Sequence, residues 1–296
     1  MRVFVTGATG FVGSAVVQEL LSYGHQVLGL ARSAQAAEQL GKVGVEALRG
    51  DLADHQSLKA GAERCDATIH TGFNHDFSRF AENCELDRQA ILAMGEAMAG
   101  SHKPFIVTSG TGVLGGLART AVETDRVLGS NVPRRSEQAA AEVAKLGVKT
   151  MVVRLAPSTH GEGDHGFVPL LIHFARQHGA AACVGEGVNR WNAVHRLDAA
   201  ALYRLALEKG EAGAHYHAVA EEAVPFVEIA KVIARRLGLG VKHLTGEEAA
   251  AYFGWFSHFA GLDIAASSAL TRQLLGWQPT RPGLLADLDN PYYFTQ

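Results

Sequence analysis

Short apolar runs and longer amphipathic stretches alternate along the first half of the chain. The apolar runs predict strands over residues 3–6, 27–31, 45–49, 67–71, 105–108 and 150–155. Between them, apolar residues recur every three or four positions, which predicts helices near 11–22, 34–41, 55–61, 78–99 and 134–146. The first helix shows the spacing well, with Phe11, Val12, Ala15, Val16 and Leu20 on one stripe. The strands lack clean in-out alternation, which predicts a parallel sheet covered on both faces. After residue 155 the pattern loosens. A helix near 167–178, a short strand near 181–184 and helices near 197–208, 225–237 and 246–252 follow, and Gly276-Trp277-Gln278-Pro279 reads as a turn after the last helix but one. The expected architecture is α/β, a doubly wound parallel sheet with a smaller C-terminal lobe. Residues 1–155, with 186–210 returning to them, would form the sheet domain; 156–185 and 211–296 would form the lobe, with a substrate cleft between the two.

The first strand leads into Thr6-Gly7-Ala8-Thr9-Gly10-Phe11-Val12-Gly13. In a strand–turn–helix context each glycine has a physical task. Gly7 permits the tight turn, Gly10 lets a pyrophosphate approach the backbone, and Gly13 lets the helix pack closely on the sheet. The helix N-terminus then presents free N–H groups and a positive dipole end to phosphate. The motif therefore predicts a dinucleotide cofactor.

Composition narrows the partners. The 296 residues are 47% hydrophobic and carry a net charge of −3, so no basic field points to nucleic acid. The three cysteines, Cys65, Cys84 and Cys183, are odd in number and widely spaced, which reads as buried thiols in a reducing compartment. The first strand begins almost at residue 1, leaving no room for a leader, and no run of 18 apolar residues predicts a membrane span. A cytoplasmic protein is expected, acting on a small molecule as a monomer or a homodimer. The helices near 78–99 and 134–146 are the candidate dimer surface, and the small residues Ala139, Ala140, Ala141 and Ala144 suit close packing within or between chains.

Several segments together resemble the extended short-chain dehydrogenases/reductases, the epimerase/dehydratase-like group. The glycine turn resembles their TGxxGxxG loop. Gly50-Asp51-Leu52 resembles their adenine-binding Asp-Leu pair, Asn192-Ala193-Val194-His195-Arg196-Leu197-Asp198 their VHVDD segment, and Gly276-Trp277-Gln278-Pro279 their LGWxP signature. The resemblance implies a Rossmann-type fold and an NAD(P)(H)-dependent oxidoreductase, with a non-catalytic cofactor-binding redox sensor, and then an epimerase or dehydratase, as alternatives. Cofactor contacts would come from Gly7, Thr9, Gly10, Phe11, Val12, Gly13, Asp51 and Leu52. Thr71, Gly72 and Phe73 after the fourth strand, Thr108 in the fifth and Pro157 after the sixth would complete them. The acid that holds the ribose of NAD at the end of the second strand is absent. Arg32 and Ser33 stand there instead and suit a 2′-phosphate, so NADP(H) is expected over NAD(H).

The catalytic positions depart from the family. Its hydroxyl after the fifth strand falls on Gly110, flanked by Ser109 and Thr111. Its Tyr-x-x-x-Lys falls on Pro133 and Glu137. The proton donor must then come from elsewhere, and the candidates are Thr111, Ser109, His160 and His75, with Asp76 and His165 nearby in sequence. Arg134 and Arg135 read more simply as surface cover than as contacts to an anion. His215 and His217 share a strand face but lack partners at metal-ligand spacing, so no metal is expected. The aromatic run Tyr252-Phe253-Gly254-Trp255-Phe256 reads as lobe core, with an apolar pocket wall as the sharper alternative.

Overall fold

The computed structural model describes residues 1–117, 119–127 and 133–295. Seven parallel strands form the central sheet: β1 (Arg2–Thr6), β2 (Gln26–Ala31), β3 (Glu46–Arg49), β4 (Ala67–His70), β5 (Pro104–Gly110), β6 (Lys149–Leu155) and, later in the chain, β10 (His215–Ala218). Their order is β10-β6-β5-β4-β1-β2-β3. Helices α1 (Phe11–Ser22), α2 (Ala34–Lys42), α3 (His55–Glu63), α4 (Phe80–Ala97) and α5 (Ser136–Ala144) connect successive strands and cover the faces. Between β6 and β10 the chain forms β7 (Ser158–His160), α6 (Phe167–His178), β8 (Ala181–Val184), β9 (Arg190–His195) and α7 (Arg196–Lys209). After β10 come β11 (Glu221–Pro225), α8 (Phe226–Leu237), β12 (Val241–Leu244), α9 (Gly246–Phe253), α10 (Ser257–Gly261), α11 (Ala269–Leu275) and α12 (Leu284–Leu288).

The central strands are apolar throughout because both faces are buried. In β1, Val3 and Val5 pack with Val16, Leu20, Tyr203 and Leu207 from α1 and α7. Phe4, between them, points to the other face and packs with Leu58, Ile91, Met94 and Val143 from α3, α4 and α5. The third core belongs to the lobe, where α6, α8 and α9 gather around Trp191, Phe226, Phe253 and Phe256. Two small sheets frame it, β11-β9-β7 and β12-β8.

Strand β10 comes from the segment assigned above to the lobe, yet it forms the edge of the main sheet, paired in parallel with β6. Trp277 likewise packs in the α1/α7 core and donates from its indole to the Asp198 carbonyl at 2.9 Å. The chain therefore returns to the sheet domain a second time, which a loosened apolar pattern does not reveal. Ala139 and Ala140 are buried within the chain, and Val143 fills the space over Gly95 of α4, where a Cβ would lie 2.2 Å from it. Ala141 and Ala144 remain on the surface. All three cysteines are free and buried. No described helix is long and apolar enough to cross a membrane.

Candidate functional site

Strand order reverses between β1 and β4, and in a doubly wound sheet the crevice beyond that switch point receives the ligand. Two glycines there cannot be replaced without moving backbone. Gly7 has φ +67, and a Cβ on it would lie 2.8 Å from Gly72 Cα. A Cβ on Gly13 would lie 2.0 Å from the Gly7 carbonyl oxygen. The turn is closed by the Gly10 N–H donating to Gly7 O at 2.8 Å. Thr9 and Gly10 are exposed, and no side chain caps α1, so its first-turn N–H groups face the crevice uncapped. This cradle fits a pyrophosphate. The Thr71 hydroxyl donates to Thr6 O at 2.8 Å and the Gly72 N–H to Thr6 Oγ1 at 3.2 Å, so the β4 end is tied directly to the turn.

The remaining predicted cofactor residues lie around this cradle. Leu52 lies against Gly72, and Asp51, half-buried, accepts from the Ala53 N–H at 3.0 Å. Arg32 and Ser33 are exposed at the end of β2. Ser33 caps α2 by accepting from the Ala36 N–H at 3.1 Å. Arg49, the register partner of Ala31, donates to the Arg32 carbonyl at 3.4 Å and so brings a second guanidinium to this corner. Phe11 and Val12 are half-buried. The Phe11 ring meets His165 edge-on at 5.7 Å and carries the Arg196 guanidinium 5.0 Å from its centroid. Among the described residues Arg32, Arg49, Arg134 and Arg196 form no ion pair with a carboxylate. Arg49, Arg134 and Arg196 were not among the predicted site residues. The sequence weighs Arg134 as an anion contact but favours surface cover, because an arginine's availability depends on which carboxylates reach it in space.

From the cradle a buried polar chain runs through β1, β4, α4, α5, β5 and α7. Thr6 Oγ1 and His70 Nδ1 lie 2.7 Å apart, and His70 Nε2 donates to Asp87 Oδ1 at 3.1 Å. Ser136 donates to Asp87 Oδ2 at 2.6 Å and accepts from Arg134 Nε at 2.9 Å. Arg134 Nη2 donates to the Thr108 carbonyl at 3.1 Å, and the Thr108 hydroxyl donates to the His70 carbonyl at 2.6 Å. Tyr203 of α7 closes the chain, 2.7 Å from Thr108 Oγ1. Burial would raise the Asp87 pKa, but the His70 hydrogen bond and the Arg134 charge outweigh it and hold the carboxyl below its usual range. Arg134 is half-buried, with its guanidinium carbon 4.2 Å from the centroid of Phe73. It does not simply cover a surface.

The predicted catalytic residues do not gather at one point. His75 lies at the crevice mouth, 5.3 Å edge-on from Phe73. Lost hydration, then the charges of Arg134 and His165, lower its pKa. Asp76 turns away to accept from Ser78. Thr111 is fully buried and donates to Asn192 Oδ1 at 3.0 Å. Ser109 is buried with no hydrogen-bond partner for its hydroxyl. Pro157 is half-buried between β6 and β7. His160 is buried beneath the C-terminal segment and donates from Nδ1 to Asp287 Oδ2 at 2.8 Å. Tyr292 bonds the same carboxylate, and Tyr293 lies 3.2 Å from Asp164 Oδ2. Burial pushes the Asp164 carboxyl up to about 6. Among the described residues no group of three or more His, Cys, Asp or Glu is placed to hold a metal.

Glu137, at the family's lysine position, is fixed in a different way. Arg154 of β6, with no exposed side-chain surface, bonds both carboxylate oxygens at 2.8 and 2.7 Å, and His215 Nε2 lies 3.3 Å away. Burial would raise the Glu137 pKa, yet the bonds from Arg154 and His215 hold it far below the usual carboxylate range. His217 packs against Arg154 Nη1 at 3.1 Å, and burial followed by that charge lowers its pKa.

The aromatic run of the lobe divides. Phe253 and Phe256 are core, whereas Trp255 is 52% exposed and stacks on Phe77 with centroids 4.9 Å apart. Phe77, in the segment after β4, also meets Phe167 at 5.7 Å and Phe259 at 6.3 Å. An aromatic wall therefore joins the lobe to the crevice.

The parallel sheet, its strand order and the glycine cradle define a Rossmann-type protein of the extended short-chain dehydrogenase/reductase class. The chain belongs to the NAD dependent epimerase/dehydratase family, whose model matches residues 3–220. It is 46% identical to an uncharacterized protein of Schizosaccharomyces pombe over 99% of this chain and 100% of that one. It is 29% identical to a 2-alkyl-3-oxoalkanoate reductase of Stenotrophomonas maltophilia over 72% of this chain and 67% of that one. Among solved structures, the dTDP-glucose 4,6-dehydratase DesIV of Streptomyces venezuelae superposes with a TM-score of 0.81 at 20% identity, covering 100% of this chain and 97% of that chain, which establishes likeness of fold.

Proposed function

We propose that this protein is an NADP(H)-dependent oxidoreductase that reduces a carbonyl or related group on a small organic substrate. The observation that carries the reading is a row of arginines, without ion pairs among the described residues, along an intact dinucleotide cradle. Arg32, Arg49 and Ser33 stand at the adenosine corner, where no acid is present to hold a bare ribose. Arg196 and His165 flank Phe11 beside the pyrophosphate turn. Asp51 and Leu52 would hold the adenine, and Thr71, Gly72, Phe73, Thr108 and Pro157 would border the nicotinamide. The name of the Stenotrophomonas relative, a reductase of oxoalkanoates, supports the same reaction class.

When bound, the nicotinamide supplies a hydride. The chain's own task is to align the carbonyl and to deliver a proton to its oxygen. His75 is the candidate that stands at the crevice mouth, and its bond is to the Phe73 backbone rather than to a buried side chain. Its lowered pKa leaves it neutral at neutral pH, so reduction speeds up as pH falls toward that pKa. Thr111 and His160 hold buried partners and serve the framework in this reading.

A non-catalytic sensor of the NADP redox state is the second reading, favoured by Pro133 and by Glu137 in its ion pair. Epimerase or dehydratase chemistry is less well supported, because it leans on the missing tyrosine. Incubation of the purified protein with NADPH and a panel of aldehydes, ketones and oxo-acids separates these. The expected result is NADPH loss equal to the alcohol formed, reduced about a hundredfold in His75→Ala. Bound NADPH that survives the whole panel would replace this reading with the sensor.

A further inference from the structure

Arg134 makes no ion pair with a carboxylate among the described residues. Its Nε donates to a serine hydroxyl and one Nη2 proton to a backbone carbonyl, both neutral acceptors. Nη1 and the second Nη2 proton have no acceptor among the described residues. Asp87, which the Arg134 charge helps to hold ionised, is bonded by His70 and Ser136 rather than by Arg134 itself. A half-buried guanidinium fixed by two bonds, with its outer fork open, is poised for a planar two-oxygen anion. Its charge reaches Asp87 only across Ser136, and it biases His75 beside it toward the neutral form.

The surface next to this fork is apolar. Phe73 lies under the guanidinium, His75 meets Phe73 at 5.3 Å and Phe77 at 6.2 Å, and Phe77 stacks on Trp255. The path from charge to exposed indole is therefore continuous aromatic surface. A phosphate dianion would bring excess negative charge against one cation ringed by such faces, whereas a carboxylate matches it in charge and shape.

We propose that Arg134 binds the carboxylate of the substrate and that the apolar body of that substrate lies along Phe77 and Trp255. The substrate class is then an oxo-acid with a hydrocarbon chain. This rests on the oxidoreductase reading, but its test does not require turnover.

Isothermal titration of the full-length protein, with and without saturating NADP⁺, compares hexanoate with its neutral isostere hexanamide. Wild-type protein binds hexanoate about tenfold or more tightly than hexanamide, as expected for a charge-assisted bond. Arg134→Met abolishes the discrimination. Arg134→Lys keeps part of it, since an ammonium supplies charge without a fork. Arg135→Met, at the exposed neighbour, keeps all of it. Circular dichroism checks each variant. If Arg134→Met does not fold, Arg134→Gln, which keeps a donor for Ser136, is expected to lose the discrimination in its place. Equal binding of the two probes by wild type, or a hexanoate preference that survives in the folded neutral variant, overturns the proposal. So does a neutral variant that loses NADP⁺ affinity while keeping the preference, because Arg134 then serves the cofactor. Hexanoate preference without NADPH oxidation on any carbonyl would sink the oxidoreductase reading and leave the carboxylate site standing.

Discussion

Glu137→Ala is expected to destabilise the protein by about 3–5 kcal/mol, because it leaves the Arg154 guanidinium buried with no carboxylate. Arg154 also donates to the Asp125 carbonyl and contacts His217, but the Asp125 carboxylate, which Arg154 helps to keep ionised, is bonded by Arg119. Glu137→Lys, which restores the family's lysine, is expected to be worse, since it sets two cations together in the same buried space. The double variant Glu137→Met/Arg154→Met should be less destabilised than either single replacement, because the unpaired ion is removed along with its partner. Urea unfolding of wild type, Glu137→Ala, Glu137→Lys, the double variant and its two single replacements measures this. A loss under about 1 kcal/mol in Glu137→Ala, the range of an exposed pair, would mean that the pair is solvated and not structural. The consequence for function is direct. Glu137 here braces α5 against β6, so a Tyr-x-x-x-Lys arrangement is not restored by a single substitution there.

The second large effect is at the cradle. Gly13→Ala is expected to weaken NADPH binding more than about tenfold, because overpacking of this kind costs roughly 1–3 kcal/mol and the atom that must move is backbone. The added Cβ would lie 2.0 Å from the Gly7 oxygen, the same carbonyl that accepts from Gly10 to close the turn. Relief requires α1 to draw away from the turn, which withdraws its N–H groups from the phosphates. Gly41→Ala is the control. It lies on α2 with no atom within 4 Å of the new Cβ, and it should leave binding unchanged. Wild-type affinity in Gly13→Ala would show that the cofactor does not sit on this turn.

Much of the fold is legible in the sequence because it depends on short-range pattern. A doubly covered parallel sheet needs apolar strands, and a phosphate-binding turn needs glycine where backbone meets backbone. The expected strands and helices of the first half recur within a few residues of their predicted bounds. The small sheets of the lobe are harder to read. β7 has three residues, too few for any period, and β9 carries a mixture of charged, apolar and polar residues.

The crevice was legible only where chemistry is local. The glycines, Asp51-Leu52 and the missing acid after β2 lie in single motifs. Arg134 reads in sequence as surface cover ahead of an anion contact, since its character comes from Phe73, Thr108 and Ser136 around it and from its lack of an ion pair among the described residues. His160 shows the reverse. Its loop position suggests a crevice residue, but Asp287, 127 positions later, accepts a hydrogen bond from its Nδ1 in a buried site. Glu137 reads in sequence as a lost lysine, and only the fold brings Arg154 to it.

The most direct test of the account is a fluorescence titration of the wild-type protein with NADPH and with NADH. The account predicts saturable NADPH binding at least about tenfold tighter than NADH, the worth of a charge-assisted bond to a 2′-phosphate, with the difference shrinking in Arg32→Ala. Binding of neither nucleotide, or tighter binding of NADH, would contradict it.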